Sequence, residues 1–280
     1  MRREAAGKTM ESVRGVRRQI GVVGALWRYP VKSMRGEPLA VATITHRGVE
    51  GDRAWALREC AYGGLVSART WPAMLQLRAA WTGDPTTDLT ARVRMELPDG
   101  ESIRADQPEA EKVLSAFLQR EVRLEKVRTA PITPEEREAI MRGDAMPPAR
   151  DYFDEDVMHL IATGTLAHLR RLSGGDSDFD ARRFRANIVV ETGADATGFV
   201  EDAWLNGVIE IGAVRINGMR PALRCAITTH PQDELPHDAA ILRTAWQFHQ
   251  AYSGIFAAVE AEGTIGVGDP VFLNEDTGAE

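Results

Sequence analysis

The chain has 280 residues, 44% of them hydrophobic, with 41 Asp and Glu against 34 Lys and Arg for a net charge of −7. That length fits one large or two medium domains, the composition fits a globular protein, and the acidic balance argues against a generic nucleic-acid binder. Two cysteines exclude a disulfide framework and a four-cysteine zinc or iron–sulfur site, and no apolar run approaches the ~18 residues that a membrane-spanning helix needs.

The first residues carry Arg2, Arg3, Lys8, Arg14, Arg17 and Arg18 but also Glu4 and Glu11, and no apolar core follows. Residues 1–19 therefore read as a basic disordered tail rather than a targeting peptide. From residue 20 the pattern is β-rich, with apolar runs over 21–28 and 39–45 separated by a polar loop holding Pro30, Lys32, Ser33 and Gly36. Residues 53–58 alternate as a half-buried strand does, and Gly63-Gly64 reads as a hairpin turn before Leu65 and Val66. Further strands are expected over 73–81 and 91–97, the second closed by the turn Pro98-Asp99-Gly100. Asp106 to Glu109 reads as the capping box of a helix that lines up Ala110, Val113, Leu114, Phe117 and Leu118. The prolines and charges after it mark a linker over 131–150 between a first domain at 20–130 and a second at 151–274, with 275–280 as a polar tail.

The second domain opens on Asp151-Tyr152-Phe153-Asp154. A helix from Thr163 to Thr165 onward should bury Leu166, Leu169 and Leu172, followed by a polar turn and a strand over 184–191. The pairs Asn206-Gly207 and Asn217-Gly218 bracket strands at 208–211 and 213–216. A helix is expected over 241–252 and strands over 264–273. The fold class is α+β, predominantly β, with closed or barrel-like sheets and few helices.

Several chemistries have no signature here. There is no GxGxxG after a strand, no P-loop, no HExxH and no GxSxG, which argues against a self-sufficient NAD enzyme and an NTPase. His230 and His237, seven apart across Pro231 and Pro236, are a weak zinc candidate.

Three loop segments concentrate basic or soft groups. Lys32 and Ser33, after a proline-set turn, suit a phosphate oxygen, or the loop is simply solvated. Arg53 and Arg69, on neighbouring strands, could grip an anion with their planar forks, or be ordinary surface arginines. Cys225 follows Arg224, whose guanidinium favours the thiolate that binds metal or attacks sulfur; the alternative is a small buried hydrophobe. Cys60 has no such neighbours.

In order, YPVKS, GDRAW, SAR, FD with HLIATGTL, RFRANIVV, RCAITT and GTIGVGDPV resemble the MOSC family, named for the C-terminal domain of molybdenum cofactor sulfurase. The first part resembles the N-terminal MOSC β-barrel domain found in amidoxime-reducing components, and the likeness runs from about Gly21 to Leu273. The resemblance implies two β-rich parts with the molybdenum–molybdopterin cofactor (Moco) bound between them. It implies that Cys225 ligates molybdenum and that Asp154 stands close to the metal, these two being the catalytic candidates. It places Lys32, Ser33, Arg53, Arg69, Arg185 and Asn187 around the pterin and its phosphate, with Leu223 and Arg224 flanking the ligand. Two departures stand out: Ala186 replaces a common proline, and Glu155 and Asp156 add negative charge after Asp154. The family is also associated, at family level only, with pyridoxal phosphate binding.

The resemblance implies an oxidoreductase that reduces N-hydroxylated small molecules. The chain cannot hold its own iron–sulfur cluster, so electrons are expected from an external ferredoxin, flavoprotein or b-type cytochrome. Two alternatives stay open: a sulfur-carrier or cofactor-delivery module using Cys225 without turnover, and a scaffold that has lost the cofactor. A cytoplasmic protein with no nucleic-acid partner and no membrane span is expected.

Overall fold

The computed structural model describes residues 16–127 and 158–275, so the expected linker at 131–150 lies outside the described residues. The chain opens with β1 (Val16–Arg28), which starts inside the stretch expected to be a tail, and continues through β2 (Glu37–Leu39) and β3 (Val41–Thr45). There follow β4 (Gly48–Val49), β5 (Trp55–Glu59), β6 (Arg78–Trp81), β7 (Val93–Glu96) and β8 (Ser102–Arg104), then α1 (Ala110–Leu118) and β9 (Val122–Lys126). The second half holds β10 (Met158–Ala162), α2 (Thr163–Leu172), the single turn α3 (Ala181–Phe184), β11 (Ile188–Glu191), β12 (Val208–Ile211) and β13 (Val214–Leu223). It closes with α4 (Ala239–His249), β14 (Tyr252–Ala261), β15 (Gly263–Gly266) and β16 (Pro270–Glu275).

Seven strands close into a barrel in the order β11-β10-β14-β13-β12-β16-β1, sealed by pairing of β1 with β11. The register sets Leu26 against Ile188 on one side and Val22 against Pro270 on the other. Thus one stave of a barrel otherwise built from residues after 158 comes from the start of the chain. Register shifts in β1, between Gln19 and Gly21 and between Val23 and Ala25, supply the bends that closure requires. Gly254 in β14 has φ +78°, and a Cβ there would run into the Leu160 carbonyl and the His159 ring, so only glycine fits.

The barrel interior is filled by Val23, Leu26, Leu160, Ile188, Ile216 and Ile255. β10 is buried along its whole length because its other face, carrying Ile161, packs under α2 and α4 with Leu169, Phe184 and Ile241. A separate core around Met34, Leu57, Leu77, Met95 and Leu114 holds the smaller sheets, β5 with β9 and β6-β7-β8, together with α1.

Several expected elements shift. Residues 73–81 are not one strand: a 3₁₀ turn over Pro72–Gln76 precedes β6. The start of 184–191 is the end of α3, and the strand proper begins at Ile188. The helix expected over 241–252 stops at His249, because Gln250 and Ala251 adopt left-handed backbone and Tyr252 begins β14. Asp106 does not cap α1; its carboxylate takes Arg92 and Arg104 at 3.1 and 3.0 Å.

Glu201, in a 3₁₀ turn against the barrel, is 2% exposed. Its carboxylate accepts the Ala162 N–H at 2.7 Å at the start of α2 and bonds the Thr165 hydroxyl. Burial lifts this carboxyl from 4.5 to about 7. Between those values the folded chain holds a proton that the unfolded chain releases, so the contribution is full below 4.5 and lost as pH rises through about 7. Thermal unfolding of wild type and Glu201→Gln should therefore diverge with pH, the variant gaining relative stability as pH rises. Parallel stability curves for the two proteins would contradict this.

Candidate functional site: a cysteine in a cationic basin

β1 ends at Arg28, whose Nε donates to Glu37 at 2.8 Å, and the chain then turns through the Tyr29–Met34 loop. The backbone ties this loop to the segment before β5: the Lys32 N–H donates to the Trp55 carbonyl at 2.8 Å and the Arg53 N–H to the Tyr29 carbonyl at 2.7 Å. Asp52 gathers the pieces. Its side chain is 5% exposed, accepts the Tyr29 N–H at 2.6 Å and Asn187 Nδ2 at 3.1 Å, and pairs with the Arg53 guanidinium. Asn187 also donates to the Trp27 carbonyl at 3.3 Å and accepts the His159 N–H at 3.2 Å. Its hydrogen bonds run inward, so it orients Asp52 from behind.

Ser33, Arg53 and Arg185 all sit in left-handed backbone, at φ 69°, 47° and 57°. Non-glycine residues in that region cost on the order of 1–3 kcal/mol each and gather at functional sites. At Arg185 the strain follows from α3, because Arg185 is the residue that ends it. The resulting direction brings its guanidinium onto the Met34 carbonyl at 2.6 Å and 4.3 Å from the centre of the Tyr29 ring. The Arg53 guanidinium also lies over that ring, at 5.7 Å.

Cys225 enters from the far end of β13, where Leu223 pairs with Tyr252 and the Arg224 N–H donates to the Ala251 carbonyl at 2.7 Å. It is a half-buried free thiol at the head of a 3₁₀ turn, Ala226–Thr229, whose Thr228 N–H and hydroxyl both donate to the Cys225 carbonyl, at 3.1 and 3.0 Å. The Arg224 guanidinium is fixed by the carbonyls of Ala222 and Phe184, both at 3.0 Å. Burial pulls Arg224 down to about 10; Cys225 opposes this, while Arg53 and Arg220 push it further. Burial likewise pulls Arg185 down to about 10, with Arg53 adding repulsion. Burial and Arg224 hold His159 well below its ordinary value, so its imidazole is neutral and its Nε2–H donates to the Ser253 carbonyl at 3.2 Å.

The structure thus brings Arg53, Arg185, Arg224 and Cys225 into one field, with Lys32 half-buried and Ser33 buried in the loop beside them. Buried guanidiniums sharing a neighbouring cation suit an anionic ligand, which would relieve both burial and repulsion on binding. Leu223 is 56% exposed beside Arg224. Arg69 is exposed on the turn after Ser67, and its recorded bond, from its N–H to Ser67 Oγ at 3.2 Å, is not with the cluster. Asp154 lies outside the described residues. Cys60 is exposed, where β5 ends. Tyr29, Asp52 and His159 are the organising residues that sequence reasoning did not single out. Tyr29 and Asp52 stand inside the YPVKS and GDRAW stretches, but no residue pattern announces their mutual bond.

His230 and His237 have ring centres 6.3 Å apart, and among the described residues no group of three or more His, Cys, Asp and Glu side chains is placed to hold a metal ion. Among the described residues, Cys225 is therefore a lone soft donor with no cluster of protein ligands around it. The donor set therefore fits molybdopterin: one soft thiolate for the metal, and a ring of cations for an anionic cofactor.

These features define a class of barrel proteins in which one cysteine, at the end of a strand, stands beside a cluster of arginines. The chain belongs to the MOSC family, matching the MOSC domain over residues 147–272 and the MOSC N-terminal beta barrel domain over residues 20–140. It is 28% identical to the human protein "Mitochondrial amidoxime-reducing component 1", over 91% of this chain and 83% of that one. It is 26% identical to the human "Mitochondrial amidoxime reducing component 2", over 91% and 84%. Among solved structures, the YUAD protein from Bacillus subtilis superposes with a TM-score of 0.46 at 12% identity, covering 93% of this chain and 98% of that one. No helix among the described residues is long and apolar enough to cross a membrane.

Proposed function

We propose that this protein binds the molybdenum–molybdopterin cofactor and reduces N-hydroxylated compounds with electrons from an external carrier protein. The observation that carries the reading is the half-buried Cys225 thiol beside Arg224, a guanidinium that shares the neighbouring Arg53 with Arg185. The likeness to two amidoxime-reducing components across 91% of the chain supports the substrate class.

Bound there, the cofactor supplies two-electron oxygen-atom-transfer chemistry. The chain does the rest. Cys225 Sγ would ligate the metal as its one soft protein donor. Lys32, Ser33, Arg53 and Arg185 would hold the pterin and its phosphate, and Arg224 would flank the ligand. Asn187 would act through Asp52, keeping the Arg53 guanidinium aimed. Neutral His159 would add no charge beside Arg224. The exposed Leu223 would form an apolar lip for substrate. The net reaction takes an amidoxime, two electrons and two protons to the amidine and water. A b-type cytochrome, flavoprotein or ferredoxin would supply the electrons, and a reducing, cytoplasmic compartment would keep both cysteines as thiols.

The test is reduction of a simple aromatic amidoxime by cofactor-loaded protein with a chemically reduced viologen as donor. Amidine formation dependent on loaded protein is expected. A loaded protein that forms none would overturn the oxidoreductase reading, and sulfane sulfur trapped on Cys225 would favour the carrier reading. Cys60→Ser should leave molybdenum content and amidine formation unchanged, because Cys60 stands exposed at the end of β5. Loss of molybdenum in that variant, with its fold intact, would reassign the two cysteines.

A further inference from the structure

The segment from His230 to His237 leaves its histidines without a metal role, yet it is built with care. Gln232 and Leu235 close it on themselves by a pair of backbone bonds, at 3.0 and 2.9 Å. At its tip Asp233 takes left-handed backbone, with φ 48°. Its carboxylate meets three guanidinium groups. Oδ1 takes Arg35 and also Arg78 at 2.7 Å, and Oδ2 faces Arg182 at 3.7 Å. Arg35 and Arg78 belong to the first half of the chain, and Arg182 to α3. Gln76 adds a bond from the first half, to the Pro231 carbonyl at 3.2 Å.

Both ends of this clamp lead to the site. Arg35 follows Met34, the residue whose carbonyl takes Arg185, and stands just after Lys32 and Ser33. Backbone bonds with Leu77 and Ala79, each 2.9 Å, fix Arg35 to the smaller sheet. On the barrel side the buried Arg183 donates to the carbonyls of Pro236 at 2.9 Å, Asp178 at 3.0 Å, Thr228 at 3.4 Å and His230 at 3.5 Å. Thr228 lies in the turn that Cys225 heads. A chain of hydrogen bonds and short backbone segments therefore runs from Cys225 through Arg183, the His230–His237 segment and Asp233 to the loop of Lys32 and Ser33.

We infer that Asp233 is a positioning residue that sets the spacing between the Cys225 thiol and the Lys32–Ser33 loop, and so keeps the metal end and the phosphate end of one ligand in register. This rests on the cofactor reading above. Arg182 keeps Asp180 at 2.8 Å and Glu234 at 2.5 Å, so removing the Asp233 carboxylate falls on Arg35 and Arg78, and Arg35 Nε is already buried without a hydrogen-bond partner among the described residues. Direct partners of metal ligands commonly control affinity by about 10–100-fold, and Asp233, acting further back through Arg35, is expected at the low end of that range.

The test compares Asp233→Ala, Asp233→Asn and Asp233→Glu in the full chain carrying Cys60→Ser, so that Cys225 is the single thiol. Two readouts are taken well below each variant's thermal midpoint: pterin lost from loaded protein during dialysis, and the rate at which iodoacetamide alkylates Cys225 in cofactor-free protein. Asp233→Ala and Asp233→Asn should lose pterin about tenfold faster or more, and alkylate severalfold faster as the turn bearing Cys225 is released. Asp233→Glu should restore most of both. Unchanged alkylation in folded Asp233→Asn would overturn the inference, as would a Glu variant no better than Ala. If the wild type takes up no pterin, the cofactor reading fails, while the alkylation series still decides whether Asp233 holds Cys225 in place.

Discussion

Cys225→Ser is expected to reduce amidoximes no faster than cofactor-free protein, while still retaining part of its pterin. Serine replaces a soft, ionisable sulfur by a hard hydroxyl that stays protonated near neutral pH, so a molybdenum centre would lose its protein ligand. The backbone barely changes. The Cys225 carbonyl holds the Thr228 N–H and hydroxyl from the main chain, so the 3₁₀ turn survives the substitution. Arg53, Arg185 and the Lys32–Ser33 loop would still face the pterin phosphate. Pterin content and turnover should therefore separate in this variant. Normal amidine formation by Cys225→Ser would exclude molybdenum–thiolate chemistry at this position.

Arg185→Ala is expected to fail the other way, losing cofactor but not rate per bound molybdenum. A charge-assisted contact to an anion is worth roughly 1.5–3 kcal/mol, about ten- to a hundred-fold in affinity. The loss should fall at the high end, because Arg185 also holds the Met34 carbonyl at 2.6 Å and so helps to shape the loop that begins at Tyr29. Arg185→Lys keeps the charge but not the planar fork, and should lie between wild type and Ala. Molybdenum per chain should fall in the order wild type, Lys, Ala, with amidine formed per molybdenum near constant. Equal loading in all three would remove Arg185 from the site.

Much of the second half was legible because its strands are bounded by turn chemistry. Asn206-Gly207 and Asn217-Gly218 bracket β12 and the first part of β13, and the Gly-rich stretch after Glu262 marks β15 and β16. The closing stave was not legible at its start. Arg17 and Arg18 read as tail charges, yet Arg17 lies 3.4 Å over the Phe272 ring and pairs with Glu210 at 3.1 Å. Cross-strand partners absorb the charge, and they are hundreds of residues away. β14 has no clear signature in the sequence because Gly254 and its alanines dilute the strand signal, although Gly254 is where β14 needs a residue without a side chain.

The site was legible where its chemistry is local. Lys32 with Ser33, and Arg224 with Cys225, are neighbours in sequence, and their residue types announce phosphate and metal chemistry. Pairing Arg69 with Arg53 depends on strand neighbours rather than sequence neighbours, and Arg69 is exposed with its N–H on Ser67 Oγ. What could not be read is the scaffolding made through space. Asp52 collects Tyr29, Arg53 and Asn187, and Asp233 collects Arg35, Arg78 and Arg182, from segments that only the fold brings together. A carboxylate in a loop carries no mark of the arginines it will meet.

The most direct measurement is the molybdenum and pterin content of the purified wild-type chain, made in a host that synthesises the cofactor. Both are expected, in equal amounts and approaching one of each per chain, with the molybdenum lost preferentially in Cys225→Ser. A folded wild-type protein carrying neither molybdenum nor pterin would contradict it.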